Sequence, residues 1–228
     1  VAANITLVRG YHHERWRTDP ERRFAFCPGG GIIFDMGCYY LMGLINILGP
    51  VRRVCGFSQI RGADDRRYMN PKNPEYGKVM PIETTNNIAG TLEFECGVIC
   101  NILNSSESIG FNNYMLFCTD GQMNLGDPNN YGDAPVVSTK ASSGVTMPLT
   151  HAFTDNSRGL GPCDLAYAIR NGREPRCSAE RAYHMFEIAH GIMISGETGE
   201  IYRMKSTCTR PEPFKAGYTE YPEMVMDI

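Results

Sequence analysis

No apolar run among the 228 residues approaches the roughly 18–20 needed to span a bilayer. The longest, Leu41 to Leu48, is interrupted by Gly43 and Asn46, so no membrane partner is expected. Charge of one sign is not in excess either. Lys and Arg total 22 against 25 Asp and Glu, a formal net charge of -3. Basic pairs such as Arg52-Arg53 and Arg66-Arg67 are scattered, and acids sit beside most such pairs, so no nucleic-acid partner is expected. The nine cysteines (27, 38, 55, 96, 100, 118, 163, 177, 208) are odd in number and include no C-x-x-C pair. Most sit among apolar neighbours, which suits reduced, buried thiols of an intracellular, cytoplasmic protein better than a disulfide framework, and no close ligand pair marks a zinc site, so no metal is expected.

Two further absences concern chain organisation. The N-terminus has neither an initiator Met nor a charged segment ahead of an apolar one, which reads as a chain opening mid-pattern rather than as a signal peptide. A dinucleotide fingerprint, G-x-G-x-x-G between a strand and a helix, is also missing. The nearest approach, Gly159-Leu-Gly161-Pro-Cys-Asp164, lacks the third glycine, follows the polar run Asp155-Asn-Ser-Arg158 and contains Pro162. This chain alone is therefore not expected to hold NAD(P) tightly.

What is present suits a soluble globular protein: 42% hydrophobic and 21% charged residues, enough to bury a core without disulfides or metals. Ile5 to Tyr11 reads as a strand, and Ile32 to Leu48 as a buried helix closed by Gly49-Pro50. Val51 to Ile60 reads as the next strand. Arg61 to Pro81, polar and with three prolines, reads as a long irregular excursion. The middle third is β-rich. Asn87–Cys96 and Val98–Asn104 flank Gly97 as a hairpin, with Ile88, Gly90, Leu92 and Phe94 alternating against Thr91, Glu93 and Glu95. Tyr114–Cys118 and Gln122–Leu125 repeat the pattern around Asp120-Gly121, and Asp127 to Gly132 is turn chemistry. Helices follow over Ser157–Asn171 and, capped by Ser178, over Ala179–Ser195. A short strand near Ile201 to Met204 finishes the pattern. Strands first and helices later predict an α+β fold: one domain over residues 1–228, an open, mainly antiparallel β-sheet with helices packed on one face.

The stretch that can carry chemistry is Pro28-Gly-Gly-Gly-Ile-Ile-Phe-Asp35-Met-Gly-Cys-Tyr39-Tyr40. In a helix from Ile32, Asp35 and Tyr39 stand at i and i+4, one turn apart on one face. The glycines precede them at the helix's positive end, where Gly30 and Gly31 would let a substrate or cofactor approach the backbone. A phenol beside a carboxylate is a workable proton-transfer pair. With its ordinary pKa near 10, the phenol needs a nearby cation to act as a base at neutral pH. The competing reading makes the glycines a tight turn, Asp35 a first-turn acid and Tyr39 a core aromatic.

These residues closely resemble the C-terminal part of the Gfo/Idh/MocA oxidoreductases, and nearly the whole chain follows the family's order. The resemblance rests on Arg17-Thr-Asp-Pro20, Gly29-Gly-Gly-x-x-x-Asp35-x-Gly37-x-Tyr39, Leu48-Gly-Pro-Val51, Thr119-Asp-Gly-Gln-Met-Asn-Leu125, Asn156-Ser-Arg-Gly159, Asp164 to Gly172, Ser178 to His184 and Glu197-Thr-Gly199. It implies an open sheet with helices on one face, the other face serving homo-oligomerisation. It also implies that Asp35 and Tyr39 lie on the catalytic helix. Tyr39 stands where many members carry His, and Met42 where many carry a further acid. The family's catalytic Lys belongs to an N-terminal domain and has no counterpart here; it is the candidate for the cation that Tyr39 needs.

The resulting expectation is the substrate-binding domain of an NAD(P)-dependent oxidoreductase acting on a sugar, cyclitol or related alcohol. NAD or NADP would be bound mainly by an N-terminal dinucleotide-binding domain. Asp35 and Tyr39 are the expected catalytic pair. Arg17, Tyr40, Asn156 and Arg158 are expected substrate contacts, and Gly30 and Gly31 the cofactor contacts. His12-His13 is a further candidate, His151 lies on a loop that could fold toward Tyr39, and His184 and His190 read as structural. The alternatives are a non-catalytic scaffold or ligand-binding module and, more weakly, a hydrolase using Asp35, which would need a second acid or nucleophile that the sequence does not offer.

Overall fold

A computed structural model describes residues 1–9, 25–62, 66–151, 153–155 and 158–214. Alternation shapes the first element, β1 (Ala2–Val8), in which Ala3, Ile5 and Leu7 are buried and the residues between them are not. Eight more strands follow among the described residues: β2 (Val51–Gln59), β3 (Asn87–Phe94), β4 (Ile99–Ser105), β5 (Phe111–Cys118), β6 (Gly121–Asn124), β7 (Val136–Thr139), β8 (Val145–Thr146) and β9 (Tyr202–Arg203). They form one sheet in the order β8-β7-β6-β5-β1-β4-β3-β2-β9.

Most neighbours are antiparallel, with tight hairpins where the turn chemistry at Gly97 and Asp120-Gly121 requires them. The exception is β1, which pairs in parallel with β4 (Ile5↔Ile102) and antiparallel with β5 (Ile5↔Tyr114). The sheet is thus mixed and mostly antiparallel, and its first strand lies at its centre. That insertion carries the end of β1 into the middle of one sheet rim.

Three helices complete the fold: α1 (Cys38–Leu48), α2 (Leu160–Asn171) and α3 (Ala179–Thr198). Leu41, Leu44 and Ile45 of α1 join Ile188, Ala189 and Ile192 of α3 in one core with Ile5, Leu7, Val54, Ile88, Leu92 and Ile102 of the sheet. Truncating any of the large aliphatics to Ala would cost about 2–5 kcal/mol. The cap expected at Ser178 is present, its hydroxyl accepting from the Arg181 N–H at 3.3 Å.

Several details depart from the sequence expectation, among them the cysteines: Cys100 is buried, but Cys55, Cys96, Cys118, Cys163 and Cys177 are exposed, because a thiol is small enough to stand on the outer side of a strand or helix at little cost. The helix expected from Ile32 does run to Leu48, but its first turn, Ile33–Gly37, is π-helical. Helix α2 starts at Leu160 rather than Ser157. Strands β7 and β8 were not anticipated; both are short and half-exposed or exposed, so they lack the apolar alternation that betrays a strand. The excursion Arg61–Pro81 is largely irregular, with a single Arg67–Val79 bridge outside the named strands, yet it buries Met80. Among the described residues no helix is long and apolar enough to cross a membrane.

Candidate functional site

The glycine turn sets up the helix. The Gly30 N–H closes on the Cys27 carbonyl at 2.9 Å, and the Gly31 carbonyl accepts from the N–H groups of Phe34 (3.1 Å) and Asp35 (3.0 Å). Gly31 holds φ +104°, and a Cβ there would sit 2.8 Å from the Thr85 carbonyl oxygen. Only glycine satisfies both demands. The Thr84 hydroxyl donates to the Gly30 carbonyl at 3.3 Å. Gly31 is therefore buried in a chain crossing, whereas Gly30 is half-exposed and Gly29 faces open space.

The π-turn that follows is a wide, less common helical closure, often found at functional sites. Gly37 makes it possible against the sheet, because a Cβ there would meet the Asn104 side-chain oxygen at 2.5 Å. Asp35 and Tyr39 emerge from this segment, both half-buried. Cys38 between them is no nucleophile. Its sulfur donates toward the Asp35 carbonyl at 3.5 Å, and burial pushes its thiol up to about 11.

The Tyr39 hydroxyl accepts a hydrogen bond from Arg158 Nη1 at 3.2 Å. Arg158 immediately precedes Gly159, the N-cap of α2, and its other fork, Nη2, donates to Asn129 Oδ1 at 2.8 Å. Its guanidinium carbon lies 5.7 Å from the Tyr39 ring centre and 5.8 Å from that of Tyr131. The cation that a working phenol requires is thus present within this chain.

Asn129 and Tyr131 belong to the loop after β6. Asp127 organises it: its carboxylate takes Arg9 Nη2 at 3.0 Å, Asn112 Nδ2 at 3.3 Å and the Asn129 N–H at 3.0 Å. Beneath lies Tyr40, with no surface exposed. Its ring meets Tyr114 edge-on at 5.2 Å, and its carbonyl accepts from the Tyr114 hydroxyl at 3.1 Å. Burial first, and then the Asp127 charge, drive the Tyr40 phenol well above its ordinary value. Tyr40 is therefore placed as part of the wall beneath the site rather than on its surface.

Of the remaining expected contacts, Arg17 and Asn156 lie outside the described residues, as do His12 and His13. His151 packs edge-on to Phe214 at 6.0 Å. His184 is buried between the Val51 N–H (2.9 Å) and the Ser206 hydroxyl (2.8 Å), and His190 stands against the Phe34 ring at 5.0 Å. Among the described residues no three His, Cys, Asp or Glu side chains gather as a metal site. Sequence reasoning missed Asn129 and Tyr131, since a Pro-Asn-Asn-Tyr-Gly run signals only a turn.

A family model of the GFO/IDH/MocA C-terminal domain matches residues 3–124. That span holds β1 through β6, the glycine turn, Asp35 and Tyr39. The chain belongs to the Gfo/Idh/MocA family. It resembles the substrate-binding domain of the NAD(P)-dependent oxidoreductases of that family. No curated protein sequence matches it. Several solved structures do. An oxidoreductase from Desulfitobacterium hafniense superposes with a TM-score of 0.63 at 18% identity, over 89% of this chain and 56% of its own. Aldose-aldose oxidoreductase from Caulobacter crescentus, complexed with glycerol, gives 0.62 at 18% identity over 88% and 55%. The WlbA dehydrogenase from Bordetella pertussis, complexed with NADH and UDP-GlcNAcA, gives 0.58 at 13% identity over 89% and 55%. At these identities the likeness establishes the fold. The chain spans little more than half the length of each.

Proposed function

We propose that this chain binds the substrate of an NAD(P)-dependent oxidoreductase and moves the proton that accompanies hydride transfer to or from a sugar, cyclitol or related alcohol or carbonyl compound. A single observation carries the reading: the Tyr39 hydroxyl, on a half-buried phenol at the first turns of the helix, is held 3.2 Å from the Arg158 guanidinium. A nicotinamide, when bound, gives or takes the hydride. The hydroxyl proton is the protein's task. In oxidation Tyr39 Oη accepts it as the C–O bond becomes a carbonyl; in reduction Tyr39 Oη donates it. Arg158 stabilises the phenolate that exists between those events, and Asp35, one turn earlier, supports the proton's path. General acid–base assistance of this kind contributes about 10²–10⁴-fold.

The open space at Gly29 and the half-exposed Gly30 leave backbone accessible beside Asp35, which suits the close approach of a flat ring. They do not suit a whole dinucleotide, whose phosphates need the glycine fingerprint that the chain lacks. The bulk of NAD or NADP then belongs to an N-terminal dinucleotide-binding domain. The glycerol in the Caulobacter enzyme and the NADH with a sugar nucleotide in WlbA support a polyol-like substrate. On the sheet face away from the helices, Phe57, Ile99, Leu103 and Phe117 are exposed apolar side chains. That pattern supports homo-oligomerisation through this face.

The deciding experiment joins this domain to its dinucleotide-binding domain and screens aldoses, cyclitols and polyols with NAD+ and NADP+. Tyr39→Phe should lower kcat by about 10²-fold or more on whichever substrate turns over. Wild-type turnover in that variant removes Tyr39 from the chemistry. Polyol binding without dinucleotide-dependent turnover would leave a ligand-binding module instead.

A further inference from the structure

We infer that the loop Gly126–Asp133 is a positioning device for Arg158, and that Asp127 and Asn129 are the positioning residues that seat its guanidinium on the Tyr39 hydroxyl. The inference rests on the reading of Tyr39 given above. An arginine at a surface-facing position carries about 2 kcal/mol of rotamer entropy, and its planar fork is fixed only when both prongs are held. One prong meets Tyr39. The other meets Asn129 Oδ1 at 2.8 Å, so Arg158 can stand on the phenol only as accurately as Asn129 is placed.

Asn129 is placed by Asp127. The Asn129 N–H donates to Asp127 Oδ1 at 3.0 Å, an Asx turn. Asp127 is itself immobilised, since its other oxygen is paired with Arg9 at the end of the central strand β1 and its carboxylate is only 12% exposed. Its N–H donates to Asp133 Oδ2 at 2.9 Å, closing the loop from the far side. The chain of contacts is therefore continuous: β1, Arg9, Asp127, Asn129, Arg158, Tyr39. Tyr131 sits at the centre of a tight turn closed by the Gly132 N–H on the Asn130 carbonyl at 2.6 Å. It holds φ +62°, a region where a non-glycine residue is disfavoured by about 1–2 kcal/mol. In exchange its ring stands 5.8 Å from the Arg158 guanidinium carbon. Strain of this kind recurs where geometry serves a function.

A loop that merely tied strand ends together would affect stability and leave Tyr39 untouched. The test uses the chain labelled with 13C at the tyrosine ring carbon bearing the hydroxyl, its Tyr39 signal assigned by loss in Tyr39→Phe. Arg158→Gln should move that signal, and Asn129→Ala should move it in the same direction. Asn129→Asp, which keeps the accepting oxygen, should restore it toward the wild-type position. This readout needs no substrate. In the intact enzyme, Asn129→Ala should lower kcat by about 10-fold or more with KM within about twofold, and with an unchanged urea midpoint. If Arg158→Gln shifts the Tyr39 signal while Asn129→Ala leaves it in place, the positioning role is overturned and the reading of Tyr39 stands. If Tyr39→Phe turns over like the wild type, both fall together. Asn129 is half-exposed, so its variants carry the test even if Asp127→Asn fails to fold.

Discussion

Two polar clusters in this molecule use the same residue types to different ends. Along α3, Arg181 is 2% exposed and fully occupied: Nε donates to the Thr209 carbonyl at 2.7 Å, Nη1 to the carbonyls of Pro175 (2.8 Å) and Arg176 (3.1 Å), and Nη2 to the Thr209 hydroxyl at 3.3 Å. Glu187 is equally committed. It accepts from the Tyr202 hydroxyl at 2.9 Å, from the N–H groups of Lys205 (2.7 Å) and Ser206 (2.8 Å), and from the Ser206 hydroxyl. At the mouth of α1, by contrast, Arg158 is exposed with two partners and Tyr39 is half-buried, while Arg9 Nε has no partner among the described residues. A buried group with every valence used is a staple. A group held in place but left partly open can still exchange partners, which chemistry requires.

The comparison is broken most easily at its saturated end. Arg181→Ala should destabilise the chain by about 3–5 kcal/mol, because the carbonyls of Pro175, Arg176 and Thr209 lose one shared, buried guanidinium at once. A loss below about 1 kcal/mol in urea denaturation would mean that the α3 cluster is not holding the fold. Next in size is Gly31→Ala, which forces an L side chain into φ +104° and against the Thr85 carbonyl; about 2 kcal/mol is expected. If that variant were as stable as the wild type yet bound NAD(P) more weakly in the intact enzyme, Gly31 would serve the cofactor rather than the turn.

A smaller effect follows from pH. Burial depresses the His184 pKa, with Glu187 opposing. As pH falls, the unfolded chain therefore takes up that proton first. Stability present above about pH 6.5 should begin to decline as pH drops through that value, and level off once the folded ring also protonates. For Glu187, burial acts to raise the pKa, but the hydrogen bonds from Ser206, Lys205 and Tyr202 prevail and hold it below the usual range. Its contribution is present above about pH 4.3 and is lost as pH falls through the lower folded value. Urea midpoints should therefore fall in two steps on acidification, and Glu187→Gln should make the lower step shallower. A midpoint that rises from pH 7 to pH 5 would contradict the His184 assignment, and one that stays level as pH falls below about 4.3 would contradict that of Glu187.

The fold was largely legible because its signals are local. Alternation at Ile88, Gly90, Leu92 and Phe94, turns at Gly97 and Asp120-Gly121, the Gly49-Pro50 stop and the Ser178 cap each mark a boundary within a few residues. The placement of β1 between β4 and β5 was not, since a strand's partner is chosen by the whole sheet. Nor was the π-turn, which depends on Asn104 lying under Gly37. The site divides the same way. Asp35 and Tyr39 share one helix turn and could be paired on paper, whereas the Arg158 that reaches Tyr39 is 119 residues away, and the loop that holds it carried only turn chemistry. Local spacing reveals which groups could react; only the tertiary fold shows which charge stands beside them.

The smallest expected effect on stability is the most informative. Removing the Tyr39 hydroxyl takes away one exposed hydrogen bond from Arg158 and leaves the aromatic ring in place, so Tyr39→Phe should keep the unfolding free energy within about 0.5 kcal/mol. Arg158→Gln should behave alike, because Arg158 pairs with no acidic group among the described residues. If the mouth were another staple, both changes would cost what a buried hydrogen bond costs, about 1–3 kcal/mol, and the two variants together would show coupling near the single losses. Near-zero stability changes with a large loss of turnover would separate the two clusters by experiment, since only a group uncommitted to the fold can be removed without the fold registering it.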